Sequence, residues 1–147
     1  MKEKLIKSRK RVKDFAEVYT PSWLVKDMVN LVPSIEGIYI TVLEPSCGNG
    51  NFLIEVLNRK LELCETESDA LSAVGSLFGV DIQTDNVLEC RERLFQRTLE
   101  IFPMADSYLL RKTLERNILP GDFLTRKLYK NGKETDELIW FLKYNGE

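Results

Sequence analysis

The sequence predicts an α/β domain built on a mostly parallel sheet with helices packed on its faces. Three observations predict it. Short runs of branched and aromatic residues alternate with amphipathic stretches of helical period, the pattern of strands joined by crossover helices. A glycine turn, P-S-C-G-N-G-N at 45–51, follows directly on one apolar run, where a strand hands over to a helix. Acids, Asp81 and Asp122, stand at the ends of the next two runs.

The chain of 147 residues favours one domain, 14–147, preceded by a basic arm, 1–13. Apolar residues make up 44 % and charged residues 30 %, which excludes the highly charged, weakly hydrophobic class of disordered chains. No uninterrupted apolar stretch reaches the roughly 18 residues that suggest a membrane span, so no membrane contact is expected. The arm has no apolar h-region and makes a poor signal peptide, so the cytoplasm is the expected compartment. The arm holds seven Lys/Arg against one Glu, or +6, while the other 134 residues hold 14 basic and 22 acidic groups, or −8. Two readings of it stay open: salt-dependent contact with DNA phosphates, or a solvated terminus that favours solubility.

There is no histidine, and Cys47, Cys64 and Cys90 lie far apart without a zinc spacing, so no metal is expected. Cys47 beside Gly48 invites a nucleophile reading. With no histidine to activate it, a small residue packed under a loop is the expected role.

Taken in order, Thr20 is a good N-cap and Pro21 a good first residue for a helix that Pro33 closes. I-Y-I-T-V-L-E at 38–44 reads as a buried strand. Phe52, Leu53, Val56, Leu57 and Leu61 lay an apolar stripe on a helix of about three turns. Ser68 caps a second helix to about 76, and F-G-V-D-I at 78–82 is the next strand. Asp85 opens a long amphipathic helix that ends before Pro103, and another runs over about 105–116. N-I-L-P-G-D-F-L at 117–124 gives a strand and a turn, N-G at 131–132 a further turn, and L-I-W-F-L-K-Y at 138–144 a last strand.

Three segments then meet beyond the carboxyl ends of the strands. Gly48 and Gly50 permit a tight turn whose backbone N–H groups face a carboxylate or phosphate, with a helix N-terminus behind them. Asp81 is positioned to accept two hydrogen bonds from a ribose diol. Asp122 can accept from an exocyclic amine, with Ile82 and Phe123 as walls for a purine. Gly48 and Asp81 stand 33 residues apart, longer than the usual dinucleotide spacing of about 20, which argues against NAD.

Y-T-P at 19–21, E-P-S-C-G-N-G-N-F-L at 44–53, G-V-D-I at 79–82 and G-D-F-L at 121–124 carry a resemblance. In this order they resemble the N-terminal, cofactor-binding part of the S-adenosylmethionine-dependent DNA adenine-N6 methyltransferases of restriction-modification systems. The resemblance covers residues 14 to about 125 and implies a Rossmann-like sheet that binds S-adenosyl-L-methionine or S-adenosyl-L-homocysteine. It places Tyr19, Thr20 and Pro21 at the methionine end and Glu44, followed by Pro45, near the amino group. Cys47, Gly48, Asn49 and Gly50 pass beneath the amino acid part. Asp81 holds the ribose, Ile82 lies on the adenine, and Asp122 and Phe123 complete that pocket.

The family's catalytic Asn/Asp-Pro-Pro-aromatic loop, which grips an extruded adenine, has no counterpart here. The prolines, at 21, 33, 45, 103 and 120, are never adjacent, and none follows Asn or Asp. No catalytic residue is therefore assigned, and the sheet is expected to be incomplete at its C-terminal side. Trp140 and Tyr144 are candidates for base stacking, with sheet packing as the plainer role. Three functions remain open. One is a cofactor-binding piece completed by a second chain that carries the catalytic loop and target recognition. Another is a non-catalytic remnant or regulator binding the cofactor or a partner subunit. The third is a basic-tailed nucleic-acid module with a vestigial pocket. The apolar run L-I-W-F-L either covers a sheet edge within the chain or pairs with a second copy as a homodimer.

Overall fold

A computed structural model describes residues 2–15 and 17–143. Its centre is an open five-stranded sheet of order β1(Val42–Glu44), β2(Leu77–Asp81), β3(Ile118–Asp122), β4(Lys127–Lys130) and β5(Lys133–Leu138). The first three strands pair in parallel; β3–β4 and β4–β5 are antiparallel. The fold is therefore α/β, but the sheet is mixed, not mostly parallel. The reason is two short connections: only residues 123–126 join β3 to β4, too few for a parallel crossover, and Asn131 and Gly132, with φ of 52° and 74°, supply the two left-handed centres of the tight turn between β4 and β5.

Six helices accompany the sheet: α1(Arg9–Phe15), α2(Ser22–Asn30), α3(Asn51–Leu63), α4(Glu67–Gly75), α5(Thr84–Ile101) and α6(Ser107–Asn117). The predicted stripe of α3 is the centre of the core. Leu53, Val56, Leu57 and Leu61 are buried with Leu77 of β2, Val87, Cys90 and Leu94 of α5, and Leu110 and Leu114 of α6. Helix α4 starts one residue before the expected Ser68 cap, because Thr66 and Asp69 form a reciprocal capping box. Helix α2 begins after Pro21, and its first N–H is capped by the Glu3 carboxylate rather than by Thr20. Among the described residues no helix is long and apolar enough to cross a membrane.

Two expected strands are corrected. Residues 38–41 lie outside β1, since pairing with β2 begins only at Val42 opposite Leu77. The expected tail strand does not run through 139–143: β5 ends at Leu138 and Trp140–Leu142 form a 3-10 turn. That turn covers part of the second sheet face, with the rings of Trp140 and Phe141 5.9 and 5.1 Å from Phe78. Ile139 is buried against Gly121, where a Cβ would stand 2.6 Å from its Cδ1. The apolar run thus packs within the chain, and Trp140 takes the packing role; Tyr144 lies outside the described residues.

Lys60 is the exception inside the core. It is fully buried, and its ammonium donates to the carbonyls of Gly37 and Ile40. Burial pushes its pKa from the ordinary 10.5 down to about 8. Between those values the unfolded chain binds the extra proton, so this residue makes stability rise with pH from about 8 to 10.5. Urea unfolding between pH 8 and 9.5 is expected to show that rise in the wild type and a flatter profile in Lys60→Met.

Candidate functional site

The glycine turn sits at the carboxyl end of β1 because Cys47 N–H donates to Val80 O at 2.8 Å and Gly50 N–H to Cys47 O at 2.9 Å. Gly48 and Gly50 have φ of 54° and 98°, and helix α3 leaves directly afterwards. Arg93 of α5 pins the turn from behind, 2.9 Å from Asn49 O and 2.8 Å from Asn51 Oδ1. Asn51 Nδ2 in turn donates to Thr20 O at 2.8 Å, which holds the Tyr19–Thr20 segment against the turn. Tyr19 is buried, and its ring carbons lie 3.4 Å from where a Gly48 Cβ would be.

These segments enclose a cavity of about 170 Å³ lined by Tyr19, Thr20, Glu44, Ser46, Gly48 and Asn49, among others. Pro45 is exposed at its rim, and Pro21 is half-buried just ahead of α2. Burial lifts the Glu44 carboxyl above its ordinary value, and the charge of Asp81 adds to this against the Ser46 N–H. Asn49 Oδ1 is buried with no hydrogen-bond partner among the described residues, although its Nδ2 reaches Glu89 at 3.2 Å. The cavity is therefore lined by a half-buried acid, which favours a cationic donor, while the unpaired Asn49 Oδ1 is itself shielded from solvent.

Asp81 is where the structure departs most from expectation. Its Oδ2 accepts from Gly48 N–H at 2.9 Å; its Oδ1 accepts from Gln83 N–H at 2.8 Å and Asn86 Nδ2 at 3.2 Å. Three protein donors already occupy a carboxylate with about four acceptor positions, so it is not free to take both hydroxyls of a diol. Burial pushes its pKa up, opposed by those three hydrogen bonds. The Gly48 and Gly50 N–H groups are likewise used inside the protein, so they form no open anion cradle.

Asn86 is the residue that sequence reading missed. It joins Asp81 to the first segment by accepting from Tyr19 OH at 2.7 Å and donating to Glu17 Oε2 at 2.8 Å. Its only signal in the sequence is a position near the start of α5. Cys47 is buried, and its hydrogen bond with Cys90, followed by burial, raises its thiol well above the ordinary value. It is a packed residue and no nucleophile.

On the far side of Asp81 a larger cavity of about 530 Å³ is lined by Arg11, Phe15, Ile82–Asp85, Tyr129 and Gly132. Ile82 faces this space as expected for a wall, but its aromatic companions are Phe15 and Tyr129. Asp122 and Phe123 do not line either cavity. Asp122 accepts from Leu124 N–H at 2.8 Å in its own turn, and Phe123 is 40 % exposed. Of the expected site, the structure brings residues 19–20, 44–50 and 81–82 together and leaves 122–123 at the edge of β3.

Comparison with protein-family models, curated proteins and solved structures returns no match.

Proposed function

We propose that the chain is the S-adenosylmethionine-binding part of a DNA adenine-N6 methyltransferase with a Rossmann-like core, and that it is inactive alone. The observation that carries this reading is the cavity between Tyr19–Thr20 and the Glu44–Asn49 turn, at the carboxyl ends of parallel strands. Its contents fit the amino acid end of the cofactor: Glu44 suits an ammonium, and Gly48 leaves room beside the Tyr19 ring. The larger cavity beside Ile82 offers Phe15 and Tyr129 to the base.

The sheet has room for completion on one side. The outer edge of β3 is taken by antiparallel β4, so a further strand can extend the parallel set β1–β3 directly only beside β1. Such a strand would end next to Glu44, which is where a second chain's catalytic loop would have to stand. A second copy of this chain is the competing occupant, and light scattering over a range of concentrations separates them: a mass that stays monomeric excludes the homodimer.

One observation favours the other reading, a remnant or nucleic-acid module with a vestigial pocket. Asp81 already accepts from three protein donors, which leaves it unable to take both hydroxyls of a diol. NMR titration with S-adenosylmethionine and S-adenosylhomocysteine decides between them. Shifts at Gly48, Gly50 and Asn86 are expected; none at millimolar cofactor makes the pocket vestigial. Tritiated cofactor with mixed-sequence DNA is expected to give no incorporation from the chain alone. In-line transfer needs an acceptor held about 3 Å away, and no residue of this chain is assigned that task.

A further inference from the structure

We propose that residues 3–11 form a latch over the pocket, and that a duplex nucleic acid releases it by drawing Lys7 and Arg11 onto its phosphates. Four contacts in succession strap the arm down. The Glu3 carboxylate accepts from Ser22 N–H at 3.1 and 3.0 Å. The Leu5 carbonyl accepts from Tyr19 N–H at 2.6 Å. The Lys7 ammonium lies 3.0 Å from Asp85 and 3.1 Å from Glu89. The Arg11 guanidinium lies 2.6 Å from Asp85 and 2.8 Å from Glu17.

The same partners build the pocket. Tyr19 lines the smaller cavity, Glu17 is bonded to Asn86 and through it to Asp81, and Arg11 lines the larger cavity. Lifting the arm therefore removes one partner from Tyr19 and one from Glu17, while both keep their bonds to Asn86.

The other arm cations, Lys2, Lys4, Arg9, Lys10 and Lys13, are exposed and have no acidic partner among the described residues. They suit a surface of closely spaced like charges, and a duplex presents one phosphate charge per roughly 1.7 Å. Arg11–Glu17, with side chains 18 % and 12 % exposed, is the sheltered pair that holds the latch; the pairs to Asp85 and Glu89 are poor competitors. Asp85 and Glu89 side chains are 54 % and 42 % exposed, so water and salt screen them. Arg11 stands about 200° around α1 from Arg9, on the opposite side of the helix, at 3.6 residues per turn. A duplex seated on Arg9 and Lys13 gains Arg11 only if the arm leaves the body and α1 turns or unwinds.

The consequence for cofactor rests on the function proposed above: with the arm lifted, Arg11 leaves the lining of the larger cavity and bound cofactor exchanges faster. The test reads the latch without cofactor. In the full chain, a short mixed-sequence duplex is expected to speed amide exchange at Tyr19 by about tenfold or more, as its bond to Leu5 opens. The slope of log affinity against log salt is expected to be shallower in Lys7→Ala/Arg11→Ala by about 1.8, two phosphate contacts at 0.9 each. Asp85→Asn/Glu89→Gln keeps every arm cation and is expected to bind the duplex several-fold more tightly, with fast Tyr19 exchange already in its absence. Absence of duplex binding overturns the proposal. So does a bound duplex that leaves Tyr19 exchange unchanged, or equal salt slopes in the two proteins. If cofactor fails to bind while Tyr19 responds to duplex, the latch stands and the proposed function falls.

Discussion

Asp81→Ala is expected to destabilise the domain by about 3 kcal/mol, because it strands three donors at once, and to abolish the cofactor binding proposed above. The Gly48 and Gln83 N–H groups and the Asn86 amide all converge on this carboxylate, which is 9 % exposed. The substitution would unfasten the glycine turn from β2 and release Asn86, the link to Tyr19. Urea unfolding reads the stability, and calorimetry with S-adenosylhomocysteine reads the site. A variant as stable as wild type would show that water takes over all three donors. Asp81→Asn keeps an acceptor for part of the set and should lose less. The pH profile has a definite sign. The folded carboxyl titrates above its ordinary 3.8, so the native state binds that proton more tightly and ionising it removes stability. The stability difference between wild type and Asp81→Asn should therefore shrink as pH rises from 3.8 through the raised value.

Gly50→Ala is expected to destabilise by a similar amount, about 3 kcal/mol, from two separate causes. A φ of 98° suits glycine and strains any L-residue, by roughly 1–2 kcal/mol. A Cβ there would also stand 2.8 Å from Cys90 Sγ and 3.4 Å from Cys90 Cα, where overpacking adds about 1–3 kcal/mol. A double-mutant cycle separates the causes. Adding Cys90→Ala removes the sulfur and should recover part of the loss, leaving the backbone strain and the crowding against the α5 main chain. Gly48→Ala is the milder comparison, at about 1 kcal/mol: its φ is 54°, and its Cβ would only touch the Tyr19 ring at 3.4 Å. Thermal melts of the five proteins check the order, and a neutral Gly50→Ala would remove the glycine turn from the elements that hold the fold.

Much of the architecture was legible because it is local. The apolar stripes of α3 and α5 have a helical period, and the short branched runs at 77–81 and 118–122 are bounded by turn residues. The N-G pair marks a tight turn, whatever lies around it. The strand after that turn, K-E-T-D-E-L, was not legible. Five of its six residues are exposed, so it has no apolar alternation and is a strand only because β4 pairs with it. The neighbouring run L-I-W-F-L has strand composition but turns back to pack on Phe78.

The same division runs through the site. The sequence by itself determined which residue types stand at the strand ends: glycines where the chain must turn left-handed after β1, an acid after β2, and seven cations in the arm. These follow from backbone sterics and composition, which each residue carries with it. Only the tertiary structure decided what those groups face. Asp81 meets Gly48 from 33 residues away, and Arg11 meets Asp85 from 74 residues away. A carboxylate's role depends on which donors reach it, and donors that distant in sequence are chosen by packing of the whole core.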